Sequence, residues 1–100
     1  NKNKRIEINF KYFDKINKTA KTKINQNTLI INLKGFVSID VYEAEKSNNY
    51  KKINIHSYMG ISIPSGTIYK INYTSNTFTA ELLDYKLDND IENIKKDIIY

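Results

Sequence analysis

From Arg5 the chain alternates: Ile6, Ile8, Phe10 and Tyr12 share one side, and Glu7, Asn9 and Lys11 share the other. A period of two over that length predicts a strand with one wet face. Residues 14–23, DKINKTAKTK, are polar and unpatterned, and are expected to form a loop. TLIINL follows, almost continuously β-branched or apolar, as in a strand buried on both sides or nearly so. It stops at Gly35, where a tight turn can use a positive φ.

FVSIDVYE alternates again, with Phe36, Ser38, Asp40 and Tyr42 opposite Val37, Ile39 and Val41. AEKSNNYK then reads as an exposed hairpin loop, because Asn48 and Asn49 tolerate left-handed conformations. KINIH and ISIP are two short strands separated by SYMG; TIYKINY and FTAELLDYKL follow, separated by the polar turn TSNT. The pattern changes only at the end. Ile91, Ile94 and Ile98 recur at helical spacing, Asn89 can cap with Glu92, and Lys95 and Lys96 suit a helix C-terminus, so a short C-terminal helix is expected. Seven or eight strands, each closed by a turn signal, make one all-β domain over residues 1–100, an antiparallel barrel or sandwich.

GISIPSGTIY, residues 60–69, holds the chain's single proline and two of its three glycines. In a sequence so short of backbone punctuation, this cluster marks a sharp change of direction between strands. Cysteine is absent, so neither a disulfide nor a thiolate metal site can form; with no long apolar run or leader pattern, a cytoplasmic protein with no membrane role is expected.

The net charge is +5, and the first 23 residues carry eight basic residues against Glu7 and Asp14, leaving the remainder close to neutral. Such a field attracts anions, whether phosphates, nucleic acid or an acidic protein surface; the simpler alternative is a solvated basic edge that keeps a sheet apart from its neighbours. The lysines interleave with Phe10, Tyr12, Phe13, Tyr69 and Tyr73. Single-stranded bases could stack on such rings, but alternation puts aromatics and lysines on opposite sides, which favours a core face and its solvated reverse. His56 is the only histidine and the carboxylates are scattered, so no metal or cofactor is expected. A Ser/His/Asp triad lacks a nucleophile elbow, and the glycines are not spaced as a phosphate loop.

Three segments in order resemble the cupin superfamily, and within it the sugar-nucleotide 3,4-ketoisomerases acting on dTDP-4-keto-6-deoxyglucose. KRIEINFKYFDKINKTAKTK stands where that family has a Lys-Arg pair, a strand and an Arg-Gly-x-His-x-His-Lys motif. TLIINLKGFVSIDV is similar to its strand, glycine turn and strand. GISIPSGTIYKINYTSNTFTAELLDYKLDNDIENI is similar to its Gly-x-x-Ile-Pro segment and acidic ending. The resemblance implies a jelly-roll barrel, a homodimer paired through its early strands, and a dTDP-sugar ligand.

Counted back from Gly35, the family's two histidines fall on Lys21 and Lys23, and its arginine on Lys18. Imidazole can accept a proton near neutral pH; an ammonium cannot unless its pKa is strongly lowered. The resemblance therefore implies either an inactive cupin that holds a pyrophosphate with Arg5 and Lys18, or an isomerase. In an isomerase, proton transfer would fall to Lys21, Lys23, Tyr42, Tyr69 and His56. A noncatalytic interaction domain and a basic nucleic-acid-binding barrel stand as alternatives.

Overall fold

The computed structural model describes residues 7–83. The expected C-terminal helix and Arg5 lie outside the described residues. Nine strands and no helix occur among them: β1 (Glu7–Phe13), β2 (Asn17–Lys18), β3 (Thr22–Lys23), β4 (Thr28–Lys34), β5 (Val37–Tyr42), β6 (Tyr50–Ile55), β7 (Gly60–Ile63), β8 (Ile68–Tyr73) and β9 (Thr77–Leu83). They form two antiparallel sheets. One runs β1-β9-β4-β7; the other runs β2-β8-β5-β6, with β3 also on β8.

The segment expected as a loop contains β2 and β3. Lys18 pairs with Asn72 and Lys23 with Ile68, while Thr19 gives its N–H to the Ile71 carbonyl and accepts from the Ile71 N–H, both at 2.9 Å. Two-residue pairings are too short to show a period of two, so no alternation announces them.

The core lies between the sheets. Val37, Ile39, Ile55, Ile71 and Tyr73 from the five-strand sheet meet Ile30 and Ile63 from the four-strand sheet, and Ile24 closes one end. β4 is buried much as TLIINL implies: Thr28, Ile30 and Asn32 face inward and fully buried, and Leu29, Ile31 and Leu33 are half-buried outward.

β1 reverses the simplest expectation. Its Ile8, Phe10 and Tyr12 face outward, 52%, 64% and 57% exposed, while Asn9 and Lys11 share the inward side with Glu81 and Thr79 of β9. The strand does have an apolar and a polar side, but the polar side turns into the barrel because β9 presents a polar face there.

Turn chemistry matches the sequence at two glycines, while positive φ outside glycine falls on Tyr58 and Asn76 rather than on Asn48 or Asn49. Gly35 joins β4 to β5 at φ +87°, and a Cβ there would lie 2.5 Å from Thr77 Oγ1. In GISIPSGTIY, the Thr67 N–H donates to the Pro64 carbonyl at 3.2 Å with Gly66 at φ +95°, the left-handed third position of a type II turn. That turn carries the chain from β7 in one sheet to β8 in the other.

Candidate functional site

β9 builds the polar side of the interior. Thr77, Thr79 and Glu81 point inward and are buried, whereas Phe78, Ala80 and Leu82 point outward. A buried carboxylate is costly unless charged or hydrogen-bonding partners meet it. Glu81 Oε2 accepts from Tyr73 Oη at 3.1 Å and lies 3.1 Å from Lys11 Nζ. Burial, and then the Glu81 charge, raise the pKa of the Tyr73 hydroxyl above its ordinary value, so it stays a donor. Phe13 stacks on the Tyr73 ring, with centroids 4.0 Å apart. Thr79 Oγ1 is buried beside this group with no hydrogen-bond partner among the described residues.

Glu81 also reaches a cavity of about 290 Å³ at the end of the barrel where β4 begins and β9 ends. Tyr69 lines it, and so do Thr22, Asn25, Gln26 and Thr28, with Ile24, Ile30 and Leu83 supplying apolar wall and Lys23 standing at its edge. The Tyr69 pKa is raised by burial and then by the Glu81 charge, which keeps its hydroxyl protonated. Neutral donors and acceptors around the Glu81 carboxylate are suited to a hydroxylated ligand, while Lys23, the one cation among the described lining residues, is suited to a phosphate.

The residues singled out from sequence are not gathered in one place. Tyr69 lies on the cavity wall, and Lys23 is exposed at its edge. Lys18 is exposed and pairs in register with Asn72, on the outward side of the five-strand sheet. Lys21 turns to the β5–β6 hairpin: its Nζ donates to the carbonyls of Glu45 at 2.8 Å and Ser47 at 2.7 Å, and sits 4.3 Å from the Tyr42 ring centroid. Tyr42 is thus an outward partner of Lys21, and its ring also leans on Tyr50. His56 is exposed beside Phe36, 5.3 Å between rings, just past the residue pairing with Val37; Tyr69 pairs with Val41. Four residues of strand separate those levels, roughly 13 Å.

Sequence reading placed Lys11 and Tyr73 only among the interleaved cations and rings, and missed Glu81. The signal was present in TFTAEL, where Thr77, Thr79 and Glu81 alternate with apolar residues. What it lacked was a way to tell which side would turn inward.

No protein-family model matches the sequence, and no curated protein does. Solved structures do match. A cupin superfamily protein from Desulfitobacterium hafniense DCB-2 superposes with a TM-score of 0.65 at 16% identity, over 82% of this chain and 69% of that one. The chain has the cupin fold. The QdtA 3,4-ketoisomerase from Thermoanaerobacterium thermosaccharolyticum, as a double mutant in complex with TDP, gives 0.63 at 16% identity over 94% of this chain and 75% of its own. The CENP-C cupin domain of Drosophila melanogaster gives 0.62 at 13% over 76% of this chain and 54% of its own. The same cupin architecture thus holds a 3,4-ketoisomerase and a CENP-C domain, and no helix among the described residues is long and apolar enough to cross a membrane.

Proposed function

We propose that the protein binds a ligand of the sugar-nucleotide class in the open end of its barrel, and that it binds rather than isomerises. The observation that carries this is the cavity wall, where the protonated Tyr69 hydroxyl and the Glu81 carboxylate face a ring of neutral polar side chains. A sugar ring would sit inward against Tyr69 and Glu81, and its phosphates outward near Lys23. TDP is bound in the QdtA complex, which makes a dTDP-sugar the first ligand to try.

Isomerisation needs a base to take a proton and an acid to return it. His56 stands at the opposite end of the barrel, Lys21 Nζ is held by two carbonyls, the Tyr69 hydroxyl is disfavoured as a base, and the Glu81 carboxylate is engaged by Tyr73 Oη and Lys11 Nζ. Thermal unfolding with and without TDP-glucose tests the binding: ligand at about 100 times its Kd stabilises the fold by about 2.7 kcal/mol. Tyr69→Phe with Glu81→Gln should abolish the shift. No shift in the wild type at millimolar ligand would refute the site. Accumulation of the 3-keto isomer from TDP-4-keto-6-deoxyglucose would refute the noncatalytic part.

A second reading concerns the outward face of β1. An edge strand with Ile8, Phe10 and Tyr12 half or more exposed is a template for pairing, and a second copy of the chain covering it would make a homodimer. Sedimentation of the wild type against Phe10→Glu tests this, a monomer in both cases being the adverse result.

A further inference from the structure

The outward side of the five-strand sheet has a cation pattern of which only Lys23 also reaches the barrel cavity. Register places it in three rows. The first holds Lys23, Ile68, Tyr42 and Tyr50, the second Lys70, Asp40 and Lys52, and the third Lys18, Asn72, Ser38 and Asn54. Successive rows are about 7 Å apart, two residues along a strand.

Asp40 is the one carboxylate in these rows, and it is committed: its Oδ1 accepts from Lys52 Nζ at 2.8 Å and its Oδ2 lies 3.4 Å from Asn72 Nδ2. Lys18, Lys23 and Lys70 have no ion pair among the described residues. Lys70 Nζ instead stands 5.9 Å from the Tyr42 ring centroid, the same ring that Lys21 Nζ approaches at 4.3 Å. Two ammonium groups at one ring repel each other and raise the local positive potential, with Glu45 on the hairpin beside Lys21 and Lys23 as the neighbouring carboxylate.

From these rows we infer that the outward side of β8, β5 and β6 is a docking surface for an acidic polypeptide segment. An extended chain presents every second side chain at about 7 Å, which matches the row spacing, so alternate Asp or Glu residues can each meet a row. The aromatic content argues against single-stranded nucleic acid, which needs ring faces open to bases. Tyr42 already carries two ammonium groups, and Tyr50 leans on it with centroids 5.2 Å apart. The cations are lysines, point charges suited to separate carboxylates rather than to bidentate recognition.

The test is the fluorescence anisotropy of a short labelled peptide with glutamate at alternate positions. Binding should weaken with salt, and the pair Lys18→Glu and Lys23→Glu should weaken it about tenfold or more. The pair Lys15→Glu and Lys34→Glu makes the same change of net charge at exposed sites off this surface, and should leave affinity within about twofold. Equal loss in both double variants would reduce the effect to net charge and overturn the proposal. So would no measurable peptide binding, or tighter binding of an oligothymidylate of equal length.

Discussion

The outward sides of the two sheets face water with opposite chemistry. On the four-strand sheet the rows read Ile8, Leu82, Leu29 and Phe10, Ala80, Ile31, with Phe78 stacked 5.9 Å from Phe10. On the five-strand sheet two of the three rows are lysine, asparagine, serine and aspartate, and the third joins Lys23 to Ile68, Tyr42 and Tyr50. Yet the central residues are buried in both: Ala80 and Leu82 on one, Ser38 and Asp40 on the other. Low exposure in the middle of a sheet therefore does not identify the core side. What fills the row decides whether that burial is apolar contact or a hydrogen-bonded network.

Substitutions in these rows separate the two cases. Ala80→Asp places a charge between Phe10 and Ile31 with no partner, and should cost about 3–4 kcal/mol in urea unfolding. A cost below about 1 kcal/mol would mean that this row is open to water. Between the sheets, Tyr73→Phe removes the donor to buried Glu81 and should cost about 1–3 kcal/mol.

Tyr73 also sets an alkaline limit. Its folded pKa is raised above the unfolded value near 10, so its contribution is complete below pH 10 and is lost as pH rises beyond that. The wild type should lose stability in that range more steeply than Tyr73→Phe, as read from denaturant midpoints from about pH 9 upward; parallel curves would remove Tyr73 as the cause. On the five-strand sheet, Asp40→Ala strands Lys52 and Asn72 but leaves both near solvent, and about 1–2 kcal/mol is expected. A larger loss would make this network part of the core. Phe10→Glu should change stability least, within about 0.5 kcal/mol of the wild type in the monomer, while abolishing any self-association through β1.

Much of the fold was legible because period-two alternation and turn chemistry are local. The strand at TLIINL, the positive φ at Gly35 and the crossing at Pro64–Gly66 all appear where the residues imply. The site was far less legible. Lys18, Lys21 and Lys23 are close neighbours in sequence, yet Lys21 is drawn to the Glu45 and Ser47 carbonyls and Lys18 pairs toward Asn72. Those partners are distant in sequence, and the lysines come from a segment with no pattern of its own. Glu81 was overlooked for a related reason: its partners Lys11 and Tyr73 come from two other strands, brought together by pairing across one sheet and packing against the second.

The sequence by itself determined the all-β class, the order of the longer strands, the turns at Gly35 and Gly66 and the two-sided character of the longer strands, since each depends on a few neighbouring residues. Only the tertiary structure decided which side of each strand turned inward. Alternation is symmetric between a strand's two faces, and that symmetry is broken only when another sheet packs against one of them. β1 is the clearest case: its apolar side looks like core in the sequence, and the polar face of β9 beside it sends Lys11 inward to Glu81 and Phe10 outward.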